Sequence, residues 1–185
     1  MDKNNWIKNV IIVSGGFDPV HKGHIRMFRE AANLGHQVIV GLNSDEWLTR
    51  KKGKPFMEFE ERKEILEGFK YVNQVIPFDD SDDSACDLIK RVHNIYDGDE
   101  FEHDYEDIGH GGMVSYYQIY FANGGDRTKE NVPEMDVCKK LDVTMLWGVG
   151  GGKIQSSSWL IENKKIVTTN EFGDDDWATP EMGEK

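Results

Sequence analysis

Cysteine and long apolar runs are both scarce in this chain. Cys86 and Cys138 are the only two cysteines, and they lie far apart without the C-x-x-C spacing. Neither a disulfide framework nor a zinc site is therefore predicted, and we expect buried free thiols in a reducing compartment. The first apolar run, Val10 to Val13, is too short for a signal-peptide core or a membrane span. We therefore expect a cytoplasmic protein without a membrane partner.

Positive charge is also in short supply. Lysine and arginine number 22 against 34 aspartates and glutamates, which gives a formal net charge of -12. Such a chain is repelled by the phosphates of nucleic acids and by anionic membranes unless its cations are clustered. A nucleic acid partner is therefore not expected. The length of 185 residues fits one domain with a core of its own.

Short β-branched runs alternate with amphipathic stretches along the chain. Val10 to Val13 predicts a buried strand, residues 22–34 a helix and Gln37 to Leu42 a second strand, which together form a βαβ unit. The pattern continues with helices over about 59–69, 85–92, 134–141 and from about 157, and with strands over about 72–76, 117–122 and 143–147. This alternation predicts an α/β fold with a doubly wound parallel sheet.

In such a sheet, ligands bind beyond the carboxyl ends of the strands. The loops that follow the predicted strands are therefore where chemistry is expected. They cover residues 14–24, 43–55, 123–127 and 148–158.

Two acidic segments break the alternation. Residues 97–107 read DGDEFEHDYED and are followed by several glycines, which predicts an acidic insertion over about residues 94–116. The end of the chain, residues 166–185, predicts a loosely ordered acidic tail. We therefore expect a single domain over residues 1–165 that contains the insertion.

The loop after the first strand carries the strongest signal. Residues 15–24 read GGFDPVHKGH, in which two glycines permit a sharp turn and Gly23 leaves open space beside the helix start. His21 and His24 are three residues apart, so both imidazoles can lie on one face of the helix next to its unpaired N–H groups. This arrangement predicts two donors that converge on one phosphate.

With these residues in this loop, the chain resembles the cytidylyltransferase-like nucleotidyltransferase superfamily, whose members carry GxFDxxHxGH between a strand and a helix. The resemblance implies a Rossmann-like nucleotidyltransferase fold. It also implies that His21 and His24 contact the triphosphate and stabilise charge on the α-phosphate. The same loop would bind the nucleotide through Gly16, Phe17, Asp18 and Gly23.

A cluster of cations follows the second strand. A solvated basic loop is the ordinary explanation of such a cluster. However, Asn43-Ser44-Asp45, then Lys52-Gly53 and Pro55, resemble the heptose 1-phosphate adenylyltransferase branch of the superfamily. The resemblance implies that Lys52 is a phosphate-binding catalytic lysine and that Arg62 takes the place of an arginine at the start of the next helix.

Two later motifs extend the resemblance. Asn123-Gly124-Gly125-Asp126 resembles the KGGD of the same branch, and it implies that Gly125 and Asp126 contact the nucleotide, although a GGD turn alone is weak evidence. The run Ser156-Ser157-Ser158 precedes the last predicted helix, where the superfamily holds the β- and γ-phosphates. One of these serines can equally serve as an N-cap, and both roles are compatible.

The resemblance implies transfer of a nucleoside monophosphate from a nucleoside triphosphate to a phosphorylated small molecule, with release of pyrophosphate, Mg²⁺ as cofactor and a homodimeric assembly. No metal-ligating residues are predicted in the protein itself. ATP and a sugar 1-phosphate are favoured, because the glycerol 3-phosphate cytidylyltransferase branch has an arginine where this chain has Gly151. The alternatives are a CTP-dependent cytidylyltransferase of that branch and a non-catalytic nucleotide-binding protein.

Overall fold

The structure is a computed structural model that describes residues 7–35, 37–97, 116–124, 132–152 and 154–161. Strands and helices alternate through these residues. In chain order they are β1 (Ile7–Gly15), α1 (Lys22–Leu34), β2 (Gln37–Leu42), α2 (Asp45–Lys52), α3 (Phe59–Glu67), β3 (Gln74–Pro77), α4 (Cys86–Asp97), β4 (Tyr116–Gly124), α5 (Glu134–Lys140) and β5 (Thr144–Val149). A short helical segment covers residues 157–161.

The strands form one parallel sheet in the order β3-β2-β1-β4-β5. The central strand is β1, in which Ile12 pairs with Ile39 of β2 on one side and with Phe121 of β4 on the other. The chain order of the strands reverses between β1 and β4. In an open α/β sheet, a crevice for ligands lies beyond the carboxyl ends of the two strands at such a reversal.

Helices cover both faces of the sheet, and alternate residues of β1 point into the two cores. Val10 and Ile12 belong to a cluster that includes Leu88 and Ile89 of α4 and Cys138 of α5. The other cluster contains the remaining core residues of β1 together with residues of α1 and α3, namely Ile11, Val13, Phe28, Ala31 and Leu66. The predicted doubly wound parallel sheet is confirmed. Burial on both faces explains why β1 and β2 contain continuous apolar runs.

The stretch after β2 is a helix, α2, and not the loop that we predicted over residues 43–55. Ser44 caps its first turn, and Asp45 places a carboxylate at the positive end of the helix dipole. Gly53 ends the helix in the left-handed region, with a φ of 87°. The prediction failed because α2 is short and only Leu48 is fully buried, so its apolar periodicity is weak.

Helix α4 continues to Asp97, so the start that we predicted for the insertion, at about residue 94, lies within this helix. The rest of the predicted insertion, residues 98–115, and the predicted tail over residues 166–185 lie outside the described residues. Cys138 is buried as expected, whereas Cys86 is half-buried, and both thiols are free. Among the described helices, none has the length and apolar character that a membrane crossing requires.

Candidate active site

A cavity of about 340 Å³ opens beyond the carboxyl ends of β1 and β4. This is the place in the sheet where the strand order predicts a ligand crevice. Polar groups reach it from α1, α2 and the segment after β5. Its lining consists of Ser14, Gly15, Phe17, His21, Gly23, His24, Met27, Lys52, Ala122, Asn123, Gly124, Val149, Gly150, Gly151, Gly152, Ile154, Gln155, Ser156, Ser157 and Ser158.

His21 and His24 form a capping box at the start of α1. The Nδ1 atom of His21 accepts a hydrogen bond from the backbone N–H of Gly23 at 3.1 Å, and the Nδ1 atom of His24 accepts one from the N–H of His21 at 3.3 Å. The two rings stack with their centroids 3.7 Å apart. Because each Nδ1 accepts a hydrogen, each neutral ring carries its own hydrogen on Nε2. The loop therefore holds two Nε2–H donors side by side.

The electrostatic environment favours the neutral form of both imidazoles. Desolvation is the main cause that lowers the pKa of His24 to about 3, and the charges of His21 and Lys52 act in the same direction. Desolvation also lowers the pKa of His21 from its ordinary value. Each neutral ring can therefore keep Nδ1 as the acceptor of its backbone hydrogen bond while Nε2–H donates to an anion.

Lys52 is the member of the cation cluster that lines the cavity. Its Nζ atom donates to the carbonyl oxygen of Asp18 at 2.7 Å, and desolvation lowers its pKa from the ordinary value. Arg50 and Lys51 instead pair with Asp83, at 3.3 Å and 3.7 Å. The end of α2 therefore places one of the predicted cations at the cavity and turns two others away.

The two predicted glycines of the β1–α1 loop are required for close packing. A Cβ atom on Gly23 would lie 2.9 Å from Cε1 of His21, so the space beside the helix start is filled by that imidazole. A Cβ atom on Gly16 would lie 2.7 Å from a methyl carbon of Leu48 in α2. Gly16 therefore allows α2 to pack close to the loop and does not line the cavity, whereas Gly23 does.

Phe17 and Asp18 support the histidines from inside the protein. Phe17 is buried, and its ring meets the ring of His24 edge-on with a centroid distance of 4.9 Å. Both carboxylate oxygens of Asp18 accept backbone hydrogen bonds at 2.8 Å, one from Phe56 and one from Met57. Asp18 does not line the cavity, and its side chain fixes the segment that follows α2.

Arg62 connects the backbone segments that follow β1, β2 and α2. Its side chain is fully buried, and its guanidinium donates to the carbonyl oxygens of Gly16, Asn43 and Met57 at 2.8 to 3.0 Å. It also forms an ion pair with Asp45 at 2.6 Å. The predicted arginine thus holds three backbone segments together, and its side chain does not line the cavity.

Sequence reasoning missed Asp80, which follows β3. This buried carboxylate accepts hydrogen bonds from the Asn43 side-chain amide and from both the backbone N–H and the hydroxyl of Ser44. It therefore fixes the start of α2, and with it the position of Lys52. Its place beyond the carboxyl end of β3 is the signal that could have found it, since ligand sites in such sheets lie beyond the carboxyl ends of the strands.

The three serines of the last segment line the cavity, but their hydroxyls differ. Ser156 Oγ accepts from the backbone N–H of Trp159 and caps residues 157–161. Ser157 is buried, and its hydroxyl donates to the carbonyl oxygen of Pro19 at 2.8 Å. Ser158 is exposed at the cavity. One serine is therefore a cap, as the ordinary explanation requires, and the next ties this segment to the histidine loop.

The remaining predictions concern residues 123–126 and a metal ion. Asn123 and Gly124 line the cavity, whereas Gly125 and Asp126 lie outside the described residues. In the described part of the chain, no group of three or more His, Cys, Asp and Glu side chains could hold a metal ion. The described cavity lining also contains no carboxylate side chain. The described residues of the lining therefore provide no carboxylate ligand for Mg²⁺.

The fold and this cavity define the class of protein. Neutral imidazole donors, an ammonium group and serine hydroxyls meet at the strand-order reversal of a parallel sheet, which is an arrangement suited to a nucleotide phosphate. Residues 12–140 match the cytidylyltransferase-like family. The chain belongs to this family, which confirms the predicted superfamily and the nucleotidyltransferase class.

Known proteins that are similar to the chain include two relatives and one solved structure. It is 35% identical over 93 residues to glycerol-3-phosphate cytidylyltransferase of Bacillus subtilis (strain 168). This aligned region covers 50% of this chain and 72% of the relative. The chain is also 39% identical over 87 residues to the bifunctional protein HldE of Sulfurimonas denitrificans. That aligned region covers 46% of this chain and 18% of the relative. The lipopolysaccharide core biosynthesis protein of Thermoplasma volcanium GSS1 shares the fold with a TM-score of 0.52 and 20% identity, over 76% of this chain and 94% of its own.

Proposed function

We propose that this protein transfers a nucleoside monophosphate from a nucleoside triphosphate to a phosphorylated small molecule. A phosphate oxygen of the acceptor attacks the α-phosphorus, the bond from the α-phosphorus to the bridging oxygen of the β-phosphate breaks, and pyrophosphate leaves. The acceptor oxygen is already anionic, so no general base is needed. The task of the protein is then to position the two substrates and to stabilise the developing charge.

The paired imidazoles are the observation that carries this proposal. His21 and His24 present Nε2–H donors on two stacked rings, and the backbone partners of Nδ1 fix both ring orientations. Donors held in this way stabilise charge on an α-phosphate oxygen without reorganising during the reaction. Lys52 adds a positive charge at the same cavity, and Ser156 to Ser158 would hold the departing pyrophosphate.

Mg²⁺ belongs to this proposal only as a companion of the nucleotide. The described lining offers it no carboxylate, so a bound ion would be held by triphosphate oxygens and water. Bound there, it would supply additional positive charge to the phosphates. We assign no step of the reaction to it.

For the substrates, we favour ATP and a sugar 1-phosphate. Three motifs that resemble the heptose 1-phosphate branch support this choice, and HldE is one of the relatives. Gly151 gives further support, because this residue lines the cavity in place of the arginine of the glycerol-phosphate branch. Without that side chain, the cavity lacks a bidentate phosphate clamp at this position.

A second candidate is CTP with glycerol 3-phosphate. The specific observation in its favour is the B. subtilis relative, since the chain covers 72% of that cytidylyltransferase. The shared loop after β1 serves both candidates equally well. Homodimerisation and a cytoplasmic location also stay predictions.

A substrate panel tests these proposals. Four nucleoside triphosphates are each combined with sugar 1-phosphates and polyol phosphates in the presence of Mg²⁺, and pyrophosphate release is measured. The His24→Ala protein serves as the control for background hydrolysis. Preferential turnover of CTP with glycerol 3-phosphate would replace the favoured substrates. Nucleotide binding without pyrophosphate release in any combination would support a non-catalytic nucleotide-binding protein instead.

A further inference from the structure

The turn after β5 is attached to the exposed side of α1. The backbone N–H of Gly150 donates to Oε2 of Glu30 at 2.7 Å, although the two residues are 120 positions apart in the chain. Gly150 also packs directly on α1, because a Cβ atom there would lie 2.9 to 3.0 Å from backbone and side-chain atoms of Met27. The contact thus combines a charge-assisted hydrogen bond with close packing.

This attachment forms part of the cavity wall. Gly150, Gly151 and Met27 all line the cavity that also contains His24. Glu30 follows His24 by six residues on α1, or about 9 Å along the helix axis. Helix α1 therefore presents the His24 imidazole to the cavity and also holds the turn after β5 in place.

The turn after β5 does little by itself to fix its own backbone, because it is rich in glycine. Gly148, Gly150 and Gly151 adopt φ values of 72°, 89° and 73°, and glycine loses more conformational freedom on folding than any other residue. A backbone hydrogen bond from Gly151 to the carbonyl of Gly148 closes the turn internally. That bond does not connect it to the rest of the site. Glu30 supplies such a connection to the Gly150 backbone.

We propose that Glu30 is a positioning residue that acts through Gly150 to hold the wall of the nucleotide cavity. It does not touch the reacting atoms. Its carboxylate orders the glycine turn before the nucleotide arrives, which lowers the entropy lost on binding. This inference rests on the proposed function only in naming the nucleotide as the ligand.

The test compares two substitutions of Glu30 with one elsewhere. Glu30→Ala removes the acceptor, whereas Glu30→Gln keeps a side-chain carbonyl of the same length. Glu64→Ala is the matched control, because Glu64 is an exposed glutamate of α3 that does not line the cavity. We expect Glu30→Ala to raise the KM for the nucleotide about fivefold with kcat within about twofold, and Glu30→Gln to stay close to wild type.

Hydrogen exchange of the ligand-free protein separates this inference from the proposed function. Glu30→Ala should increase amide exchange over residues 148–152, and Glu64→Ala should not. Unchanged exchange in Glu30→Ala would overturn the attachment, whatever the activity. Faster exchange with an unchanged KM, and an unchanged nucleotide Kd, would overturn the positioning role. Absence of pyrophosphate release from the wild type would count against the proposed function, and the nucleotide Kd would then replace KM.

Discussion

The loop after β1 contains two groups of side chains that play different roles. His21 and His24 line the cavity and hold their Nε2–H groups available for an anion. Phe17 and Asp18 are buried, and the carboxylate of Asp18 accepts hydrogen bonds from two backbone amides. The first group offers donors to a ligand, whereas the hydrogen bonds of the second remain within the protein.

The difference shows that a single sequence motif combines chemistry with support. A neutral imidazole can serve as a donor only if another group fixes its orientation and tautomer. Here the backbone of the helix start fixes both rings, and the buried residues fix the backbone. Substitutions in the two groups should therefore produce different effects, on turnover in one case and on folding in the other.

We expect the largest effect at Arg62, where a substitution should lower the free energy of unfolding. Arg62→Ala would leave three backbone carbonyl oxygens and the Asp45 carboxylate without their donor, and we expect the free energy of unfolding to fall by about 3 to 5 kcal/mol. Urea denaturation measures this change. The control is Lys63→Ala, which removes a surface ion pair to Glu67 and should cost less than about 1 kcal/mol. An equal loss of unfolding free energy in the two variants would show that Arg62 does not hold the backbone segments together.

The next largest effect concerns turnover. His21→Ala and His24→Ala should each lower kcat by about 10² or more while the domain stays folded, because each removes a donor aimed at developing charge. His21 is also the N-cap of α1. His21→Asn keeps a capping side chain, so it should recover stability but not activity. Pyrophosphate release at the wild-type rate from any of these variants would remove the site assignment.

The pH dependence of stability tests the burial of His24. Its pKa is lowered to about 3 in the folded protein, whereas an unfolded histidine has a pKa near 6.5. Between these values the unfolded state binds more protons, so the stabilising contribution present above pH 6.5 is lost as the pH falls. His24→Gln keeps an acceptor for the capping box and does not titrate.

Relative to His24→Gln, the wild type should therefore lose about 1 to 2 kcal/mol of unfolding free energy between pH 6.5 and pH 5. Urea denaturation at several pH values measures the difference. Parallel curves for the two proteins would show that the imidazole is not desolvated.

The smallest effects should separate two neighbouring serines. Ser157→Ala removes the buried hydrogen bond to Pro19 and should lower the unfolding free energy by about 1 kcal/mol. Ser158→Ala should leave stability within about 0.5 kcal/mol and raise the KM for the nucleotide two- to fivefold, roughly the loss of one hydrogen bond. Thermal unfolding and steady-state kinetics measure both. The reverse pattern would mean that Ser157 faces the phosphates and Ser158 supports the fold.

Much of the fold could be predicted because its signals are local. The apolar runs of β1 and β2 and the pattern of α1 agree with the structure to within a few residues, and alternation implied the parallel sheet. The helix α2 was missed because capping, and not periodicity, defines it. His21 and His24 were predicted from the loop motif and Lys52 from the resemblance to one branch of the superfamily, and the cavity brings the three together.

The sequence by itself determined the alternation of strands and helices apart from α2, the histidine loop and the family, since each depends on residues that are neighbours in the chain. Only the tertiary structure decided which way each side chain of that loop faces. It alone connected Arg62 to three backbone segments, Asp80 to the start of α2 and Glu30 to Gly150. These contacts join residues far apart in the chain, and no local pattern encodes such a pairing, because it arises only when the strands align in the sheet.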